Sequence, residues 1–137
     1  MKKLVFLAAF LLFSVLAFGQ GLQKGNLVGV HVITVTLQPG VTMDKFIEVY
    51  NSKVIPAYGK YFTGGTAYLV KSLRGENKDS FGTFMIFKTE KERDKYFKSD
   101  GGSTDLGIAA DEKMKPIIEE LNKLGTMTSV YNDWLVL

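Results

Sequence analysis

SFGTFMIFKTEKERDKYF, residues Ser80 to Phe97, is the stretch on which the fold turns. Phe81 to Phe87 is short, aromatic and β-branched, and apolar on both alternating sides apart from Gly82 and Thr83. That pattern describes a strand covered on both faces, because a strand with one wet face alternates apolar with polar. Two residues later Thr89 and Glu92 form a T-x-x-E capping box. The Thr oxygen accepts from the backbone three residues on, and the Glu carboxylate reaches back to the cap. A central strand therefore passes directly into a helix, expected over Glu90 to Lys98.

The rest of the chain supplies cover for that strand. Leu27 to Gln38 carries no charge on either alternating side and reads as a second doubly covered strand, ended by Pro39-Gly40. Thr42 caps a helix, with Val41 and Phe46 spaced as a hydrophobic staple. Phe46, Val49, Tyr50, Lys53, Val54 and Ala57 share one stripe of it, and Pro56 predicts a kink or a fresh turn. Thr66 to Leu73 is a strand joined to Phe81–Phe87 by the polar loop Arg74 to Asp79. After the break at Ser99 to Gly102, a long helix runs from about Asp105 to Leu124, kinked at Pro116, with Gly125 as its C-cap. Met127 to Leu137, containing Trp134, is the last strand. The order is β-α-β-β-α-β: an α+β, ferredoxin-like arrangement, one antiparallel sheet with helices on one face and the two apolar strands at its centre. The other face needs cover that the chain does not have, so a second copy is expected.

Residues 1–19 read separately. Met1-Lys2-Lys3 is a charged start, Leu4 to Phe18 an apolar run, and Ala17-Phe18-Gly19 a small-residue cleavage site. This is the pattern of a secretory signal peptide, and the run falls short of the ~20 apolar residues of a spanning helix. No Cys follows it, which excludes a lipid-anchored lipoprotein. Removing 19 residues from 137 leaves 118, residues 20–137, enough for one domain. Without Lys2 and Lys3 the 17 basic residues become 15 against 14 acidic ones, a net of +1, which gives no reason to expect a nucleic-acid partner. The expectation is an exported protein, periplasmic or extracellular, with no membrane attachment after cleavage. With no Cys and a single His, neither thiolate chemistry nor a metal site is expected, and no Gly-rich phosphate loop or G-x-S-x-G string occurs. No cofactor is implied.

The segment His31-Val-Ile-Thr-Val-Thr-Leu-Gln-Pro-Gly-Val-Thr42, the hairpin from Leu73-Arg74-Gly75 to Phe87, and Phe87-Lys-Thr-Glu-Lys-Glu-Arg-Asp-Lys-Tyr96 resemble the stress-responsive A/B-barrel domains and the related antibiotic-biosynthesis monooxygenases. The resemblance covers nearly all of the chain after residue 19. It implies a homodimer of ferredoxin-like subunits, paired sheet to sheet as a dimeric α+β barrel. Those families include cofactor-free oxygenases, haem-degrading enzymes and cyclases. His31 matches the His that opens the first strand and faces the cleft, and Tyr96 matches the cyclases' active-site Tyr. Their second His has no counterpart here, since Ser99 to Gly102 fills that stretch, and the haem branch's helix His is absent.

His31 is the one side chain that titrates near neutral pH unaided. It reads either as a buried neutral imidazole satisfied by one hydrogen bond, or as a base or ligand-orienting group, with Tyr96 as its phenol partner in one cleft. Ile33 shares its side of the strand. With Tyr50, Val54, Tyr58 and Trp134 it is the candidate lining of a site for a small apolar or aromatic ligand. A cofactor-independent monooxygenase or cyclase-like enzyme using His31, and a structural dimer without ligand, are the alternatives.

Overall fold

The computed structural model describes residues 21–137. The proposed signal peptide, residues 1–19, lies outside them. Strand β1 is Leu27–Leu37, β2 Gly65–Lys71, β3 Phe81–Phe87 and β4 Gly125–Leu135. Helix α1 is Met43–Val49, followed without a break by a π-helical turn, Tyr50–Val54, and by α2, Ile55–Tyr61. The short α3 is Glu90–Arg93, and α4 is Asp105–Asn122. The sheet order is β2-β3-β1-β4, and every neighbouring pair is antiparallel. The two strands that read as doubly covered, β1 and β3, are the central ones. This is the ferredoxin-like α+β fold.

The register decides which side chains meet the helices. Odd-numbered residues of β1 stand opposite odd-numbered residues of β3 and β4, as in Ile33 with Phe81 and with Ser129. Ile33, Met85 and Phe87 on that side pack with Phe46, Val54, Phe62, Met114 and Leu121 in one core. The even-numbered side carries no helix. There Val28, Val30 and Val32 lie beside Trp134, Asn132 and Val130 of β4 and beside Ile86, Phe84 and Gly82 of β3.

Local chemistry explains most element ends. Thr42 caps α1 by accepting from the Lys45 backbone N–H at 3.3 Å, and Thr89 caps α3 through the Glu92 N–H at 3.2 Å. The Glu92 carboxylate, expected to reach back to that cap, instead binds Lys95 at 2.6 Å. Helix α3 also stops earlier than expected, at Arg93. The bulge at Tyr50–Val54 precedes Pro56, which has no N–H to give its preceding turn. The Ile55 N–H donates to the carbonyl of Tyr50, five residues back, so the backbone accommodates the proline by a wider turn. Helix α4 runs through Pro116. Gly125 is not a C-cap but the first residue of β4. A Cβ there would sit 2.8 Å from the Thr36 carbonyl oxygen, so the glycine lets β4 begin tight against β1.

Candidate functional site

Thr83, His31 and Tyr131 form one cross-strand row on the helix-facing side, His31 being paired with both neighbours in the register. The π-helical turn brings Tyr50 above this row, where its hydroxyl and the Thr83 hydroxyl lie 2.7 Å apart. Helix α2 brings Tyr58 over the same place. The result is two adjacent cavities that share His31 and Tyr58 as walls. The smaller, of about 180 Å³, is completed by Ile33, Tyr50, Thr83 and the start of β4 at Met127–Ser129. The larger, of about 320 Å³, has a floor of Phe62, Met85 and Phe87, with Tyr131, Arg93 and Phe97 alongside. The larger cavity is mainly apolar, with Arg93 and Asp111 at its sides, and the smaller mixes hydroxyls and the imidazole with apolar groups, which is the make-up of a small-molecule site.

The His31 ring is half-buried and lies against the ring of Tyr131, centroids 4.4 Å apart and planes inclined by 41°. The hydrogen bond expected of a merely structural imidazole is absent: among the described residues no group pairs with its ring nitrogens. Burial pulls its pKa below the usual 6.5, and the charge of Asp133 offsets part of that fall. The imidazole at neutral pH is therefore an uncharged group with a free acceptor nitrogen. Burial pushes the phenols of Tyr50 and Tyr58 upward, so both remain protonated donors.

Of the residues singled out in the sequence, His31, Ile33, Tyr50 and Tyr58 converge. Three do not. Tyr96 is buried, but its hydroxyl lies 2.7 Å from the Thr63 hydroxyl and its ring packs on Phe62 and Phe87, so it is no partner of His31. The reason is the shortness of α3: Tyr96 lies beyond its end and turns towards the loop after α2. Val54 is fully buried in the core and reaches neither cavity. Trp134 has the parity of Val28, not of His31, and stands 61% exposed on the helix-free face.

Three residues of the site were not singled out as such. Tyr131 was one aromatic residue among many. Asp133 and Arg93 carried no mark, as charges in a charged segment are ordinarily solvated. Arg93 is instead buried, 6% exposed, with its Nη2 atom 2.7 Å from Asp133 Oδ2 and its Nη1 donating to the carbonyls of Phe97 and Lys98. Among the described residues no group of three His, Cys, Asp or Glu side chains is placed to hold a metal ion, and no helix is long and apolar enough to cross a membrane.

No protein-family model matches the chain, and no curated protein matches it in sequence. Among solved structures it is similar in chain path to SnoaB, a cofactor-independent oxygenase from Streptomyces nogalater, with 16% identity over 83% of this chain and 95% of that one, TM-score 0.46. It is similar to a dimeric protein of unknown function and ferredoxin-like fold from Bacteroides fragilis NCTC 9343, with 14% identity over 82% and 98%, TM-score 0.45. A conserved protein of unknown function from Bacteroides thetaiotaomicron VPI-5482, a possible oxidoreductase, aligns at 11% identity over 81% and 100%, TM-score 0.47. At these identities the likeness concerns the fold alone.

Proposed function

We propose that the protein is exported, assembles as a homodimer, and binds a small, largely apolar molecule in the two-lobed cleft between sheet and helices. The observation that carries the reading is the His31 imidazole: half-buried, without a partner among the described residues, and shared by both cavities. Its ring nitrogens are not sealed from solvent, and without a protein partner they are left for water or a ligand to satisfy. A ligand hydroxyl or N–H donating to the neutral ring does so, while the rings of Phe62, Phe87 and Tyr131 receive its apolar part. Such binding weakens as pH falls through the His31 pKa, below 6.5, because the protonated ring no longer accepts.

A panel of one- and two-ring hydroxy- and keto-compounds, screened by thermal shift, tests this. Some member is expected to raise the melting midpoint. His31→Ala should then weaken that compound's binding about tenfold, the worth of one hydrogen bond, with the dimer intact. A panel without any hit, or equal affinity in His31→Ala, overturns the reading and leaves a structural dimer.

The second reading, an enzyme that needs no cofactor, is favoured by the same free nitrogen, since an unprotonated imidazole in a cavity is placed to take a proton from a bound molecule. Turnover lost in His31→Ala while binding persists distinguishes it. Export rests on Met1 to Gly19 alone. Mass spectrometry of protein from the native host is expected to find Gln20, free or cyclised, as the first residue; an intact Met1 sinks that part of the proposal.

A further inference from the structure

We infer that Tyr131 is the positioning residue of this cleft: anchored by Asp133 and Arg93, its ring holds the His31 imidazole in place beside the two cavities. The inference rests on the reading of His31 as the polar centre of the site, and concerns what fixes that group.

The register sets Tyr131 directly beside His31, and Asp133 beside Gly29, all on the helix-facing side. Strand β4 is an edge strand, and Tyr131 is 38% exposed, a position where a phenol ring is ordinarily free to swing into water. Two features stop it. The Tyr131 hydroxyl donates to one oxygen of the Asp133 carboxylate, whose other oxygen is held by Arg93. Arg93 is itself buried and tied to the backbone just beyond α3, at Phe97 and Lys98. The second feature is Gly29. A Cβ at that position would lie 3.1 Å from Tyr131 Cε2 and 3.2 Å from its hydroxyl oxygen, closer than real contacts of that kind ordinarily come. The missing side chain is the space in which the ring lies down. A clip that served only to fasten α3 to the sheet would need Arg93 and Asp133, but not a phenol laid over a glycine and against the imidazole.

The consequence is electrostatic as well as geometric. The Tyr131 ring shields His31 from water, which favours the neutral form, while the Asp133 carboxylate favours the protonated one. The remaining groups around the imidazole are the phenols of Tyr50 and Tyr58, the Thr83 hydroxyl, the Arg93 guanidinium and, across the larger cavity, Asp111.

His31 is the only histidine in the sequence, so in tag-free protein labelled with nitrogen-15 and carbon-13 its imidazole signals are unambiguous. Titration by NMR without ligand is expected to give a midpoint below 6.5 in the wild type. Tyr131→Ala should raise it towards 6.5, because the ring gains water. Gly29→Ala alters no charge; its methyl would meet the Tyr131 ring and hydroxyl at 3.1 and 3.2 Å and Asp133 Oδ1 only at ordinary contact distance, 3.4 Å, so it should do the same by displacing the phenol. Asp133→Asn should move it the other way, since the charge is gone while the amide oxygen still accepts from Tyr131. If general loosening were the cause, all three variants would shift upward, so a common direction overturns the inference. An unchanged midpoint in Gly29→Ala and Tyr131→Ala overturns it too. Should Tyr131→Ala fail to fold, the other two variants decide. The measurement reads the empty protein, so a failed ligand screen leaves it standing, and a failed titration leaves the ligand proposal standing.

Discussion

Val30→Asp is expected to break the proposed dimer into monomers, raising its dissociation constant by at least a hundredfold, about 3 kcal/mol. Val30 lies at the centre of the helix-free face, between Phe84 of β3 and Asn132 of β4. Around it Val130, Trp134 and Tyr68 are 67%, 61% and 51% exposed, with Val32, Val70 and Ile86 on the same side. Monomers rarely expose an apolar area of this kind, which at ~25 cal/mol per Å² rewards any partner sheet that covers it. A second copy is the occupant we propose, because both long helical segments are already spent on the opposite face. Two-fold symmetry puts two of the new carboxylates into one interface, so the substitution acts twice. Sedimentation of wild type and variant at micromolar concentration measures the effect. A wild-type monomer, or a Val30→Asp dimer of undiminished affinity, ends the proposal.

Phe62→Ala is expected to lower the unfolding free energy by about 3–5 kcal/mol. The ring is 1% exposed and lies between three others: Phe97, stacked at 5.6 Å, Tyr96 at 5.2 Å and Tyr58 at 5.7 Å. It thereby joins the end of α2 to the segment after α3, two parts of the chain with no shared hydrogen-bond ladder. Aromatic pairs add to simple burial, and total stability for a domain is only about 5–15 kcal/mol, so the loss is a large share. Urea unfolding reads it directly. A loss below about 1 kcal/mol would show that the aromatic cluster is not what seats these segments on the sheet. The same substitution widens the larger cavity, whose wall Phe62 forms.

The fold was legible because its decisive signals are local. Uncharged alternation on both sides of Leu27–Gln38 and Phe81–Phe87 marks central strands whatever surrounds them, and Thr42 and Thr89 act on backbone donors three residues away. Of the candidate site, the inward placement of His31, Ile33, Tyr50 and Tyr58 was legible, because strand parity and helical periodicity put them on inward faces.

Where the expectations failed, the deciding contact was distant in sequence. Trp134 was assigned to the ligand side by its aromatic character, but its face follows from the pairing register of β4 with β1, and a shift of one residue would reverse it. Tyr96 was matched with His31 on the assumption that the helix after β3 continued; it ends at Arg93, and the phenol meets Thr63 instead. Arg93 and Asp133 are forty positions apart, each among other charges, and only the pairing of β4 beside β1 brings the carboxylate to the buried guanidinium. Sequence alone thus determined the strand and helix order and the inward placement of the single histidine, because these depend on periodicity and capping within a few residues. What surrounds that histidine was decided by tertiary structure, because it depends on which edge strand pairs with β1, in which register, and on how early one short helix stops.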